Sequence, residues 1–153
     1  MPNTVHDGMN SPYALEYYSF GQSQAAANQA AVALKRNVNA ATSGSLNITG
    51  VVMPFAGSII GVTVNTSANK TAGVATVAPT INGTALASGT GLSAVALANA
   101  AAKASKMIDA QVSGARFNAG DLVGVKLTTD GSYLPTTLDW EVIIYVEFEG
   151  VNT

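Results

Sequence analysis

The stretch Leu138-Asp139-Trp140-Glu141-Val142-Ile143-Ile144-Tyr145-Val146-Glu147-Phe148-Glu149 decides the fold. Leu138, Trp140, Val142, Ile144, Val146 and Phe148 share one parity, and Asp139, Glu141, Glu147 and Glu149 share the other. Successive side chains of a strand point to opposite faces, so a period of two describes a strand with one buried face. At roughly 3.4 Å per residue the run spans about 40 Å and must cross most of a domain. The polar parity turns apolar only in its middle, at Ile143 and Tyr145. That is where another strand, subunit or arm is expected to cover the sheet.

Working outward, Leu122 to Thr128 repeats the pattern, with Val123, Val125 and Leu127 on one face. Asn118-Ala119-Gly120-Asp121 precedes it and Thr129-Asp130-Gly131-Ser132 follows it, both rich in turn formers. Leu46 to Met53 and Ser58 to Asn65 read as strands joined at Pro54-Phe55-Ala56-Gly57. Gly73 to Ala78 and Thr80 to Ala87 continue the series, with Asn82-Gly83 as a turn or bulge. The Ala-rich residues 93–107 are expected to be a loop with a short helical or strand piece. Short strands at this spacing, without long helices, predict an all-β, jelly-roll-like β-sandwich over residues 46–153. Residues 1–45 lack the pattern and are expected to form an extended N-terminal arm, partly irregular or helical. Its aromatic residues Tyr13, Tyr17, Tyr18 and Phe20 are candidate partner anchors, because aromatics dominate interface contacts. The alternative of equal weight is that this segment folds back on its own domain.

Only 10% of the 153 residues are charged, where a soluble domain has roughly 25%. A surface this poor in charge suits a chain that is partly covered by partners. The net charge of −2 gives no electrostatic reason to bind nucleic acid. The charges are nevertheless segregated. Seven acids and two bases lie from Asp109 onward, and two acids and five bases lie before it. Such a layout can orient the packing of one copy on another. No apolar run is long enough for a membrane helix, and the first residues have neither the basic nor the apolar region of a signal peptide.

Reactive constellations are sparse. There is no cysteine, and the single histidine is His6, so neither a thiolate metal site nor a histidine-rich one is expected, and no cofactor is implied. The acids of the last strand stand at spacings that paired-carboxylate chemistry would tolerate, but alternating acids more often form a solvated face. No catalytic residue is expected. Trp140 is expected in the core, with a carbohydrate-stacking role as the alternative. Tyr133, beside the Asp130-Gly131 turn, is a candidate loop contact.

The second half resembles small phage virion proteins, namely head decoration (cement) and head-fibre proteins with jelly-roll-like sandwiches. The resemblance rests on Arg116-Phe117-Asn118-Ala119-Gly120-Asp121-Leu122-Val123-Gly124-Val125-Lys126, Thr128-Thr129, Pro135-Thr136-Thr137 and the closing strand. Gly61-Val62-Thr63-Val64, Ala75-Thr76-Val77 and Ile81-Asn82-Gly83-Thr84 fit the same outline. It implies a non-enzymatic protein on the capsid exterior, bound to the major capsid protein and to itself, as a homotrimer or another symmetric oligomer. The alternative is a receptor- or glycan-binding module of a fibre or spike. A small polysaccharide-degrading enzyme is a third reading, supported only by the acidic strand.

Overall fold

A computed structural model describes residues 13–36, 48–109 and 114–149. Among them the chain is built from strands, with one short 3₁₀ turn at Ser88–Thr90. Two antiparallel six-stranded sheets pack face to face as a β-sandwich. The first contains β1 (Tyr13–Gln22), β3 (Lys35–Arg36), β5 (Gly57–Thr66), β9 (Lys103–Met107), β10 (Arg116–Phe117) and β12 (Trp140–Glu149). The second contains β2 (Val32–Ala33), β4 (Gly50–Val52), β6 (Ala75–Ile81), β7 (Thr84–Ala85), β8 (Val95–Ala96) and β11 (Leu122–Thr129).

The closing run forms β12, in the middle of the first sheet. It pairs along its whole length with β1, from Tyr13 opposite Glu149 to Gln22 opposite Trp140. Its other edge pairs with β5, with a bulge at Tyr145/Val146. The strict alternation of burial along β12 matches the sequence parity. Trp140, Val142, Ile144, Val146 and Phe148 meet Ile59, Val62 and Val64 of β5 and Phe20 of β1 in one core. Val77, Val123, Val125 and Leu127 close that core from the second sheet. Full burial of each such side chain contributes about 1.5–3 kcal/mol.

The Asn82-Gly83 pair is the turn between β6 and β7. Both residues have positive φ, 51° and 78°, as a two-residue type I′ hairpin requires. The Ala-rich segment holds two strand pieces, β8 and β9. Ala104 alone of the five β9 residues is half-buried, and the other four are exposed, so that segment lacks the clear apolar parity of a buried strand.

Two expectations are corrected. Residues 13–22 are not an arm but a full strand of the sandwich. The reason is the parity of Ala14, Tyr18 and Phe20, which follows the inner face of β12. Residues 23–36 also lie against the domain: the Ala25 amide donates to the Leu138 carbonyl and the Leu34 amide to that of Val125. The remaining arm residues, 1–12 and 37–45, lie outside the described residues.

Tyr133 is also not a loop contact. It is 1% exposed, and its hydroxyl accepts a hydrogen bond of 2.8 Å from Nε1–H of Trp140. Trp140 is itself buried, so this pair places both polar aromatic atoms in the core without leaving the indole donor unsatisfied. Burial pushes the Tyr133 phenol above its ordinary pKa, and the Trp140 hydrogen bond partly opposes this. Tyr18 is raised too, first by burial and then by the charge of Glu16, with Arg36 opposing.

Tyr133→Phe removes the acceptor of the buried indole N–H. Chemical denaturation is expected to show a loss of about 1–3 kcal/mol. The raised phenols also set a pH dependence. Below pH about 10 both folded and unfolded chains hold neutral tyrosines; above it the unfolded chain ionises first, so stability falls as pH rises. Denaturation midpoints across that range are expected to decline, and to decline less in Tyr133→Phe.

Candidate docking face

The outer face of the first sheet is where the polar parity of β12 fails. Reading across the register, Tyr17 of β1 stands opposite Tyr145 of β12, Tyr145 opposite Gly61 of β5, and Gly61 opposite Met107 of β9. A side chain at Gly61 would collide with the Met107 sulfur, so the thioether lies over the glycine. One row up, Leu15 stands opposite Glu147, and one row down Ser19 stands opposite Ile143. Leu15, Tyr17 and Met107 are 64%, 66% and 54% exposed, while Ile143 and Tyr145 beneath them are half-buried. These five residues form an apolar band across four strands, in a protein whose surface carries little charge. Contiguous exposed apolar surface on a soluble domain marks an interaction site.

The four aromatic anchor candidates separate on this sheet. Tyr17 projects outward, in the middle of the band. Phe20 is fully buried and belongs to the core, so it cannot contact a partner. Tyr18 is half-buried on the inner side, with the Arg36 guanidinium 5.2 Å from its ring centre and 5.5 Å from that of Phe20. Tyr13 lies in β1 opposite Glu149. The sequence reading does not single out Leu15 or Met107, which the fold brings to the same band. Leu15 was legible, since Leu15 and Tyr17 are an i,i+2 pair of one strand face. Met107 was not, because nothing in the sequence places β9 beside β5.

A second feature is a cleft of about 910 Å³ where the ends of β1, β5 and β12 meet β2 and β3. Gln22, Lys35, Arg36, Asn65, Asp139 and Glu141 line it. Its carboxylates are engaged: Asp139 accepts from the Ser23 hydroxyl at 2.7 Å and the Gln24 amide at 3.1 Å, and Glu141 accepts from the Ser19 hydroxyl at 3.1 Å. Buried oxygen Oε1 of Gln22 and nitrogen Nη1 of Arg36 have no hydrogen-bond partner among the described residues. Elsewhere, Thr90 and Leu92 are buried, with the Thr90 hydroxyl donating to the Ala87 carbonyl. Asp121 is tied down by the Asn118 amide and the Asn82 side chain, which hold its carboxyl below the usual range. Among the described residues no cluster of three metal-ligating side chains occurs, and no helix is long and apolar enough to cross a membrane.

No family model matches the chain, and no curated protein matches it. Among solved structures it is similar to a chain of the Cyanophage Pam1 capsid asymmetric unit, at 14% identity and a TM-score of 0.40, covering 90% of this chain and 84% of that one.

Tyr17 and Phe20 are neighbours in sequence with opposite roles. Tyr17→Ala is expected to leave folding stability within about 0.5 kcal/mol, as for an exposed surface site. Phe20→Ala is expected to cost about 3–5 kcal/mol by opening a cavity in the core. Urea denaturation of the two variants measures the contrast.

Proposed function

We propose that the chain is a phage head decoration protein. In this reading it binds the outer surface of the capsid through the major capsid protein, assembles as a homotrimer and stabilises the head. The observation that carries the reading is the apolar band of Leu15, Tyr17, Ile143, Tyr145 and Met107 on the open face of a rigid sheet. Covering such a band contributes about 25 cal/mol per Å² of apolar surface removed from water. Repeated over many sites, modest contacts add up through multivalency. A surface with 10% charged residues fits the same role, because few charges need to be desolvated when copies pack. The sequence resemblance to decoration and head-fibre proteins points the same way. The reading assigns no catalytic role to the chain and no cofactor.

The polar cleft favours a second reading, a glycan-binding module of a fibre or spike. Its amides, guanidinium and carboxylates are the planar hydrogen-bonding groups that recognise sugar hydroxyls.

Quantitative mass spectrometry of purified particles, scaled to the major capsid protein, separates the two. Decoration predicts hundreds of copies, and heads stripped of the protein should release their genome at lower temperature until it is added back. A few to a few dozen copies, together with binding on a glycan array that is lost in Asn65→Ala, would favour the fibre reading. Absence from the particle would remove both.

A further inference from the structure

The cleft and the apolar band meet on the outer face of the first sheet, where the register sets out successive rows. At the cleft, Lys35 of β3 stands opposite Gly21 of β1, Gly21 opposite Glu141 of β12, and Glu141 opposite Asn65 of β5. Two residues along each strand, Ser19, Ile143 and Thr63 form the next row. Two residues further, Tyr17, Tyr145 and Gly61 form the row of the band. On β12 these positions alternate with the buried Val142 and Ile144, so all three rows face outward. Gly21 has no side chain, and the first row is therefore notched between Lys35 and Glu141. Polar groups around the notch are open. Glu141 accepts from the Ser19 hydroxyl with one oxygen, and its other oxygen takes no hydrogen bond among the described residues. Lys35 and Asn65 are exposed, and their side chains make no hydrogen bond or ion pair among the described residues. Over the whole lining of the cleft, Lys35 and Arg36 balance Asp139 and Glu141. From Glu141 to Tyr145 is four residues of strand, about 14 Å at roughly 3.4 Å per residue.

We infer that the cleft takes one end of a linear, uncharged oligosaccharide, which leaves the cleft along β12 and lays a further ring on Tyr17 and Tyr145. This names the ligand class and its direction for the glycan-binding reading, on which it rests. A carboxylate only accepts hydrogen bonds, an ammonium only donates, and an amide does both, so adjacent hydroxyls of one sugar ring find both kinds of partner at the notch. An uncharged ligand fits a lining whose charges balance, because an ion of either sign would face a like charge there. The C–H face of a sugar ring packs on a tyrosine ring, while the phenol hydroxyl stays available to the sugar edge. A fully apolar partner laid over the same rows would leave Glu141, Lys35 and Asn65 without partners, which costs free energy that a saccharide does not incur. The distance between notch and tyrosines exceeds one sugar ring. A monosaccharide therefore reaches one end of the site, and an oligosaccharide reaches both.

NMR titration of the purified full chain tests the inference, with neutral gluco-, manno- and galacto-oligosaccharides from mono- to hexasaccharide as probes. In the series that binds, affinity is expected to rise about tenfold or more from monosaccharide to tetrasaccharide and then to level off. Tyr17→Ala is expected to remove that gain and to leave monosaccharide affinity unchanged. Glu141→Gln is expected to weaken both lengths about tenfold. Circular dichroism and thermal melts check that each variant keeps its β structure, and the length series needs only the wild type. An affinity that does not rise with length overturns the inference and leaves the glycan reading standing, as does a tetrasaccharide affinity unchanged in Tyr17→Ala. Absence of binding by every probe also overturns the inference. The glycan reading falls with it only if a glycan array that includes charged sugars is blank as well.

Discussion

The double pairing of β12 is the constraint on which the structure depends. Its ten residues exchange hydrogen bonds with β1 on one side and β5 on the other, so its backbone polar groups are satisfied while one whole face is apolar. A strand paired on both edges has one register that keeps Trp140, Val142, Ile144, Val146 and Phe148 inside. A slip of one residue would bury Glu141 and Glu147 and expose the core. The partner strands are long for the same reason, since β1 and β5 must match the length of β12 to cover it. The second sheet then closes the core with Val123, Val125 and Leu127 of β11.

That constraint also creates the outer face. Because parity is fixed by the core, whatever occupies the alternate positions is presented outward in a fixed array. Tyr17, Tyr145 and Met107 fall in one row across β1, β12, β5 and β9, with Gly61 leaving room for the Met107 side chain to lie flat. A rigid array of this kind loses little conformational entropy on docking, unlike an arm that must order as it binds. The difference between an arm and a sheet face therefore changes the expected physics of assembly. In the proposed assembly the contacts would be made by a preformed surface, with a strength that depends on how much apolar area is covered.

The sequence resemblance and the apolar band overlap only in part, at Gly61 of β5 and at Ile143 and Tyr145 of β12. The residues that carry the resemblance are largely framework: β10, β11 and β12, the Asn118–Asp121 turn, and portions of β5 and β6. Leu15, Tyr17 and Met107 lie outside them. Framework similarity speaks to how the sandwich is built, whereas in the proposed role the outward residues would choose the partner. The buried Trp140–Tyr133 pair makes the same point from the other side, because two aromatics that invite a binding role are spent on the core.

Much was legible in the sequence by itself. The period-two runs determined the strands at 122–129 and 140–149 and which of their faces is buried, because parity is a local property of extended backbone. The Asn82-Gly83 turn was determined by the φ values that few other pairs adopt, and parity already put Ile143 and Tyr145 on the outer face. Only the tertiary structure decided the rest. It paired Tyr13–Gln22 with the closing strand over a separation of more than a hundred residues, turning an expected arm into part of the core. It set β9 beside β5, bringing Met107 over Gly61 and into the row of Tyr145, and it sent Phe20 and Tyr133 inward while leaving Tyr17 outside. Strand pairing is a long-range choice made by the whole core at once, and the side chains of an isolated strand do not record which neighbour will lie beside it.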